Sequence, residues 1–220
     1  MKNDLSCALA GRSTLELGVS HRQPTCPAVL ERVLPSVKQQ KGNLGTLEKV
    51  SIRRCTIGDE TALSLLGQAT FLESFAGMLD GNDILAHCSN QHSASVYLGW
   101  LTQDAYRVWI AEVQPGNAPV GYLVLAPPNL PIANPQAGDL EIKRIYLLAP
   151  FQGTGIGKRL MQEALAHARH QNSPRLLLGV HSRNTDAIAF YQKLNYKIAG
   201  ERKFKVGNNE YDDLVLALDI

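Results

Sequence analysis

Residues 150–161 read PFQGTGIGKRLM: three glycines, Gly153, Gly155 and Gly157, run into Lys158 and Arg159, and an amphipathic segment begins at once. Glycine within a helix costs about 1 kcal/mol relative to alanine. Cations at a helix N-terminus work against the macrodipole by roughly 0.3 kcal/mol or more each. An anionic ligand removes both objections. Glycines let backbone N–H groups come close to a phosphate, the first amides of the helix donate to it, and the two cations add charge. The stretch therefore reads as a phosphate cradle. It is not a P-loop, because three residues separate Gly153 from Gly157 and Arg159 stands where that motif needs a hydroxyl. Nor is it the dinucleotide fingerprint, which wants glycine at Lys158. What remains is Gln-x-x-Gly-x-Gly, formed by Gln152, Gly155 and Gly157 with Gly153, Thr154 and Ile156 between them.

A cradle needs a strand to enter it and a helix to leave it. Alternation in DLEIKRIYLL (139–148) predicts the strand. Ile156, Leu160, Met161, Ala164, Leu165 and Ala168 share one face and predict a helix to about 171. Upstream, VSIRR from Val50 reads as a strand, 59–77 as a helix stopped by Gly77, and about 82–101 as a second helix. YRVWIAEV (106–113) and PVGYLVLAP (119–127) form a hairpin across QPGNA. Strand 175–180, helix 184–194, strand YKIAGERKF and a last strand after the GNN turn complete the chain. Helices alternate with strands from 139 onward and hairpins flank them, so the fold class is α/β: a mixed sheet with helices packed on it. Residues 1–46, with prolines and no sustained period, read as a flexible N-terminal extension holding one short helix near 28–39. Residues 50–220 form the domain.

Composition removes several classes. At 220 residues, 45% hydrophobic and 19% charged, the chain is an ordinary globular one. Residues 1–49 carry seven Lys or Arg against four acids, and residues 50–220 fifteen against sixteen, so no basic domain awaits nucleic acid. No window reaches 18 apolar residues, and LSCALAG near the start does not read as a signal peptide. Cys7, Cys26, Cys55 and Cys88 show no CxxC or pairing rhythm, as thiols in a reducing cytoplasm would. His87, Cys88 and His92 lie close together but read as a helix carrying histidines and a small apolar cysteine, with no metal expected.

Two linked motifs resemble the GCN5-related N-acetyltransferase (GNAT) superfamily: the Gln152–Gly157 loop directly after a strand, and NTDAIAFYQKLNY (184–196) downstream. Asn195 and Tyr196 stand where Gly-Phe is usual, and Asn is the next-best left-handed helix stop after Gly. The resemblance covers roughly residues 50–220. It implies a mostly antiparallel mixed sheet whose central parallel pair splays, with helices on both faces. It further implies an acetyl-coenzyme A-dependent N-acetyltransferase working by direct attack in a ternary complex. By resemblance, Ile145, Tyr146 and Leu147 pair with pantetheine. Residues 152–159, Lys158 and Arg159 included, hold the pyrophosphate, and Asn184 contacts the coenzyme. Tyr191 matches the acid for the departing sulfur, with a core aromatic as the other reading. Glu141 matches a catalytic carboxylate, with a charge partner for Lys143 or Arg144 equally open. ATFLESFAG (69–77) resembles the first helix of small-amine and polyamine acetyltransferases, so Glu73, Asp212 and Asp213 are expected at an acidic acceptor mouth. A protein N-terminus, a lysine side chain, or a non-catalytic acyl-coenzyme A sensor stay open as alternatives. So does homodimerisation.

Overall fold

Along the strand Arg107–Val113 (β2), Val108 and Ile110 join one apolar cluster while Trp109 and Ala111 join another on the opposite side. That period of two, with both faces apolar, requires cover above and below the sheet. The computed structural model describes residues 49–220. The expected extension, its helix near 28–39, Cys7 and Cys26 lie outside the described residues.

Seven strands form one sheet: β1 (Val50–Arg54), β2, β3 (Ala118–Ala126), β4 (Leu140–Leu147), β5 (Arg175–His181), β6 (Lys197–Val206) and β7 (Asn209–Asp219), in spatial order β1-β2-β3-β4-β5-β7-β6. Every neighbouring pair is antiparallel except β4 and β5. Five helices follow in chain order as α1 (Glu60–Phe75), α2 (Gly81–Gln91), α3 (Ala94–Leu101), α4 (Ile156–His170) and α5 (Thr185–Lys193). Apolar residues of α4 and α5, among them Leu160, Ala164 and Tyr191, share a core cluster with Leu123, Ile142 and Ile145. Leu63 and Leu66 of α1 and Tyr97 of α3 pack on the other face against Ile110, Tyr122 and Val124. Each fully buried leucine contributes about 1.5–3 kcal/mol by leaving water.

One expected helix is two. The segment expected over 82–101 breaks at His92 and Ser93, where Ser93 is extended (φ −69°, ψ 152°) and starts α3. Serine favours such a start over a helix interior, and the break turns His92 toward the sheet. Asn195 takes the left-handed conformation its position demands, φ 67°.

β4 positions the site. Ile142 pairs with Leu125 and Arg144 with Val124, so Lys143 is a one-residue bulge. Bulges bend a strand and re-aim the residues beyond them. Pairing with β5 ends at the same point: only Leu140, Glu141 and Ile142 match Leu176, Leu177 and Leu178. Past Ile142 the two strands part, while β4 stays on β3 to Leu147.

Candidate active site

A cleft of about 1320 Å3 opens where β4 and β5 separate and runs from the glycine turn to α1 and α2. At the end expected to take the coenzyme, Gly153 and Gly155 take φ 72° and 91°, conformations that side chains rarely adopt. Gly157 sits close to its neighbours: a Cβ there would lie 3.3 Å from Leu147, which would have to give slightly, and 3.6 Å from Phe190. Gly155 caps α4 without a side chain, and its carbonyl takes the Arg159 N–H at 3.1 Å. The amides of Ile156, Gly157 and Lys158 precede that first helical bond and have no intrahelical partner. Gly153, Gly155, Gly157 and Lys158 line the cleft. Gln152 reaches back to the Leu147 carbonyl at 3.0 Å, tying the turn to the strand.

The slot has its own polarity. The Leu148 N–H donates to the Val120 carbonyl at 3.0 Å. Alternation along β4 then turns the backbone of Tyr146 toward β3, and that of Ile145 and Leu147 toward the slot. Of the three residues expected to offer backbone, two face the gap. Tyr146 contributes its ring to the cleft wall, where burial pushes its hydroxyl up to about 12.

Other expected residues divide. Tyr191 and Asn184 both line the cleft, and Asn184 also caps α5, accepting from the Ala187 N–H at 3.1 Å. Burial pushes the Tyr191 hydroxyl well above its ordinary range, with Tyr146 adding to the shift. Glu141 is 4% exposed at the cleft floor. One of its oxygens accepts the Asn129 N–H at 2.6 Å, and it makes no ion pair with Lys143 or Arg144. Three residues of the expected loop set do other work. The Arg159 guanidinium donates to the Val50 carbonyl of β1 at 3.0 Å, so its charge is not spent on the cleft. Thr154 bonds the Phe151 carbonyl at 2.6 Å, and the Ile156 side chain is core.

The acidic mouth is only partly assembled. Glu73 lines the cleft and accepts the Ala149 N–H at 2.9 Å. Asp213 lines it too, paired with Arg202 at 3.0 Å, and burial pushes its carboxyl up against the pull of that arginine. Asp212, one residue before it, points to the opposite face of β7, where it pairs with exposed Lys203. Alternation along a strand forbids both aspartates one face.

What sequence reasoning missed is the rest of the wall at this end of the cleft. Phe71 and His87 stack at 4.3 Å, with His92 and Tyr146 beside them. Arg144 lies over the Trp100 ring at 4.6 Å and donates to the Tyr97 hydroxyl at 3.0 Å and the Gln91 carbonyl at 2.7 Å. Burial, and then the Arg144 charge, pushes His87 down to about 4 and His92 to about 2. Asp83 holds the β6–β7 turn against α2 through the Asn208 N–H (3.0 Å) and the Asn209 amide (2.6 Å). The proximity of His87 and His92 was the available signal. Among the described residues no group of three metal-ligating side chains occurs, and no helix is long and apolar enough to cross a membrane.

Known proteins share this fold. The described chain is similar in fold to the PaiA N-acetyltransferase of Thermoplasma acidophilum, crystallised in complex with coenzyme A (TM-score 0.63, 19% identity, 78% of this chain and 99% of that one). An uncharacterised N-acetyltransferase of Mycobacterium tuberculosis H37Rv is 37% identical over 82 residues, 37% of this chain and 53% of the relative. The peptidyl-lysine N-acetyltransferase YjaB of Salmonella typhimurium is 30% identical over 107 residues, 49% of this chain and 57% of the relative. The chain thus spans about half the length of the curated relatives it matches. A family model described as the acetyltransferase (GNAT) family matches residues 78–196, from the approach to α2 through the glycine turn to the end of α5, and the chain belongs to that family.

Proposed function

We propose that the chain transfers acetyl from acetyl-coenzyme A to a primary amine, both bound at once, with the amine attacking the thioester directly. The observation that carries this is the slot: β4 and β5 part after Ile142, and the gap leads straight to the glycine turn and the unpaired first amides of α4. The cleft also exceeds the roughly 300–1,000 Å3 of an ordinary small-molecule pocket, as two ligands require.

Acetyl-coenzyme A supplies an acyl group activated as a thioester. The chain supplies everything else. The amides of residues 156–158, with Lys158, hold the pyrophosphate. Slot-facing backbone of Ile145 and Leu147 pairs with the pantetheine arm as an added strand, and one N–H there polarises the carbonyl. The Tyr191 hydroxyl, kept protonated by burial, gives its proton to the departing sulfur. An alkylammonium titrates near pH 10, so attack needs a proton acceptor. Glu141 supports that role, directly or through water, from the oxygen that Asn129 leaves uncommitted. The acceptor is a small primary amine. A lysine side chain is the second reading, favoured by the likeness to YjaB. The free buried thiols of Cys55 and Cys88 support a reducing, cytoplasmic setting.

The test is thiol release from acetyl-coenzyme A with polyamines, amino acids, aminoglycosides and lysine peptides. Tyr191→Phe is expected to lower kcat about 100-fold while coenzyme affinity holds. Coenzyme binding with no turnover on any amine would leave the sensor reading instead.

A further inference from the structure

His92 ends α2 with its ring 1% exposed. Its Nδ1 lies 2.9 Å from the Tyr97 hydroxyl and 3.5 Å from an Arg144 guanidinium nitrogen. Its Nε2, on the other edge of the ring, is buried with no hydrogen-bond partner among the described residues. The residue lines the cleft beside Phe71, His87 and Tyr146. A buried polar atom without a partner is rare enough to call for one.

The neighbours decide where the imidazole proton sits. Arginine only donates, so the nitrogen facing Arg144 presents a lone pair, not an N–H. The Tyr97 and Tyr122 hydroxyls are 3.0 Å apart, and a phenol hydroxyl can donate or accept. If Tyr122 donates to Tyr97 and Tyr97 to Nδ1, every proton in the network finds an acceptor. The reverse order strands the proton of Tyr122, which is fully buried, and sets an imidazole N–H against the guanidinium. The proton therefore belongs on Nε2. Burial, with the charge of Arg144 and then His87 behind it, keeps the ring neutral. Nε2 then has no lone pair with which to take a proton from an amine. It is a fixed donor awaiting an oxygen.

We propose that His92, through Nε2–H, and Arg144 are specificity-determining residues that select an acceptor amine bearing a carboxylate or carbonyl oxygen. This rests on the transfer reading above. Arg144 reinforces the selection, since its contacts to Tyr97, Gln91 and, at 3.5 Å, His92 Nδ1 leave at least two of its five N–H groups uncommitted. The rings of Trp100 and Tyr97, at 4.6 and 5.3 Å, fix its plane. A bare diamine answers neither donor and brings a second cation toward Arg144.

Three probes separate the cases with the full chain and acetyl-coenzyme A. L-Lysine, L-lysinamide and 1,5-diaminopentane share an alkylamine and carry a carboxylate, a neutral carbonyl or neither. At least one oxygen-bearing probe is expected to exceed the diamine tenfold in kcat/KM. A lead of L-lysine over L-lysinamide assigns a carboxylate, and parity a carbonyl. His92→Phe keeps the ring stack and should bring the preference near one, while His92→Gln returns an N–H and part of the preference. A diamine preferred by the wild type, or a preference unmoved in His92→Phe, overturns the proposal. Absence of turnover would remove the transfer reading alone, and imidazole 15N spectra of the wild-type chain with coenzyme A then decide. The proton must be found on Nε2 of His92, and its signal must move with L-lysine or L-lysinamide but not with the diamine. A proton on Nδ1, or no oxygen-dependent shift, overturns the proposal whether or not the variants fold.

Discussion

The two ends of the cleft are built from different materials. The end proposed for the coenzyme is almost all backbone: two glycines at positive φ, a third whose Cβ would press on Leu147, and the open amides of one helix start. The end proposed for the acceptor is almost all side chain: rings and charges from α1, α2, β4 and the β6–β7 hairpin, brought together across more than a hundred residues. A backbone site recognises what every coenzyme A has in common. A side-chain site can be changed one residue at a time, and so suits a choice among acceptors.

If that division holds, the largest single effect belongs to the glycine turn. Gly155→Val places a β-branched residue at φ 91°, costing about 1–3 kcal/mol of strain and displacing the first amides of α4. Acetyl-coenzyme A affinity by calorimetry is expected to fall by roughly 100-fold, at about 1.4 kcal/mol per tenfold, with the sheet intact by circular dichroism. Binding within a few fold of wild type would break the comparison at its stronger end.

Acid should find the other end first. His87 and His92 have folded pKa values of about 4 and about 2, below the ordinary 6.5, because burial disfavours their charged forms. The unfolded chain then binds more protons, so stability falls as pH drops below about 6.5 and goes on falling toward the folded values. By pH 4 the loss is on the order of a few kcal/mol. Hydrogen exchange between pH 7 and 4 is expected to deprotect α2 and α3 ahead of α4. Simultaneous loss, or α4 first, would show that the two ends do not differ in this way.

A smaller effect separates the ends by function. Asp83→Ala removes the acceptor of the Asn208 and Asn209 hydrogen bonds that hold the β6–β7 turn to α2. Acceptor kcat/KM is expected to drop about threefold to tenfold while coenzyme affinity is unchanged. Asp83 is held below the usual carboxylate range by the Asn208 N–H and then the Asn209 amide, so in the wild type this hold persists until pH falls below about 4.

The same division explains what could be read from the chain. Gln152, Gly155 and Gly157 could be read as a phosphate cradle because backbone chemistry leaves a local mark: glycines and a helix start within six residues. Helix 156–170 and strand 140–147 were legible from period alone. Arg159 looked the same as Lys158, since nothing in GKR says that one cation turns to a β1 carbonyl. Asp212 and Asp213 both looked acidic, and only the phase of β7 separates them. His92 gave least warning. Its meaning lies in Tyr97, Tyr122 and Arg144, which belong to three elements, and in a helix break that periodicity smoothed over.

Lys143, the residue without a partner in β4, carries a consequence of its own. In a regular strand Ile142 and Arg144 would look the same way. One surplus residue puts them on opposite faces, so Ile142 reaches the α4 core while Arg144 reaches Tyr97. It also ends the zip to β5. Losing that residue would leave every side chain on its present face and cost only the bend. The sheet would then close like a finished seam, with no place left for a guest strand.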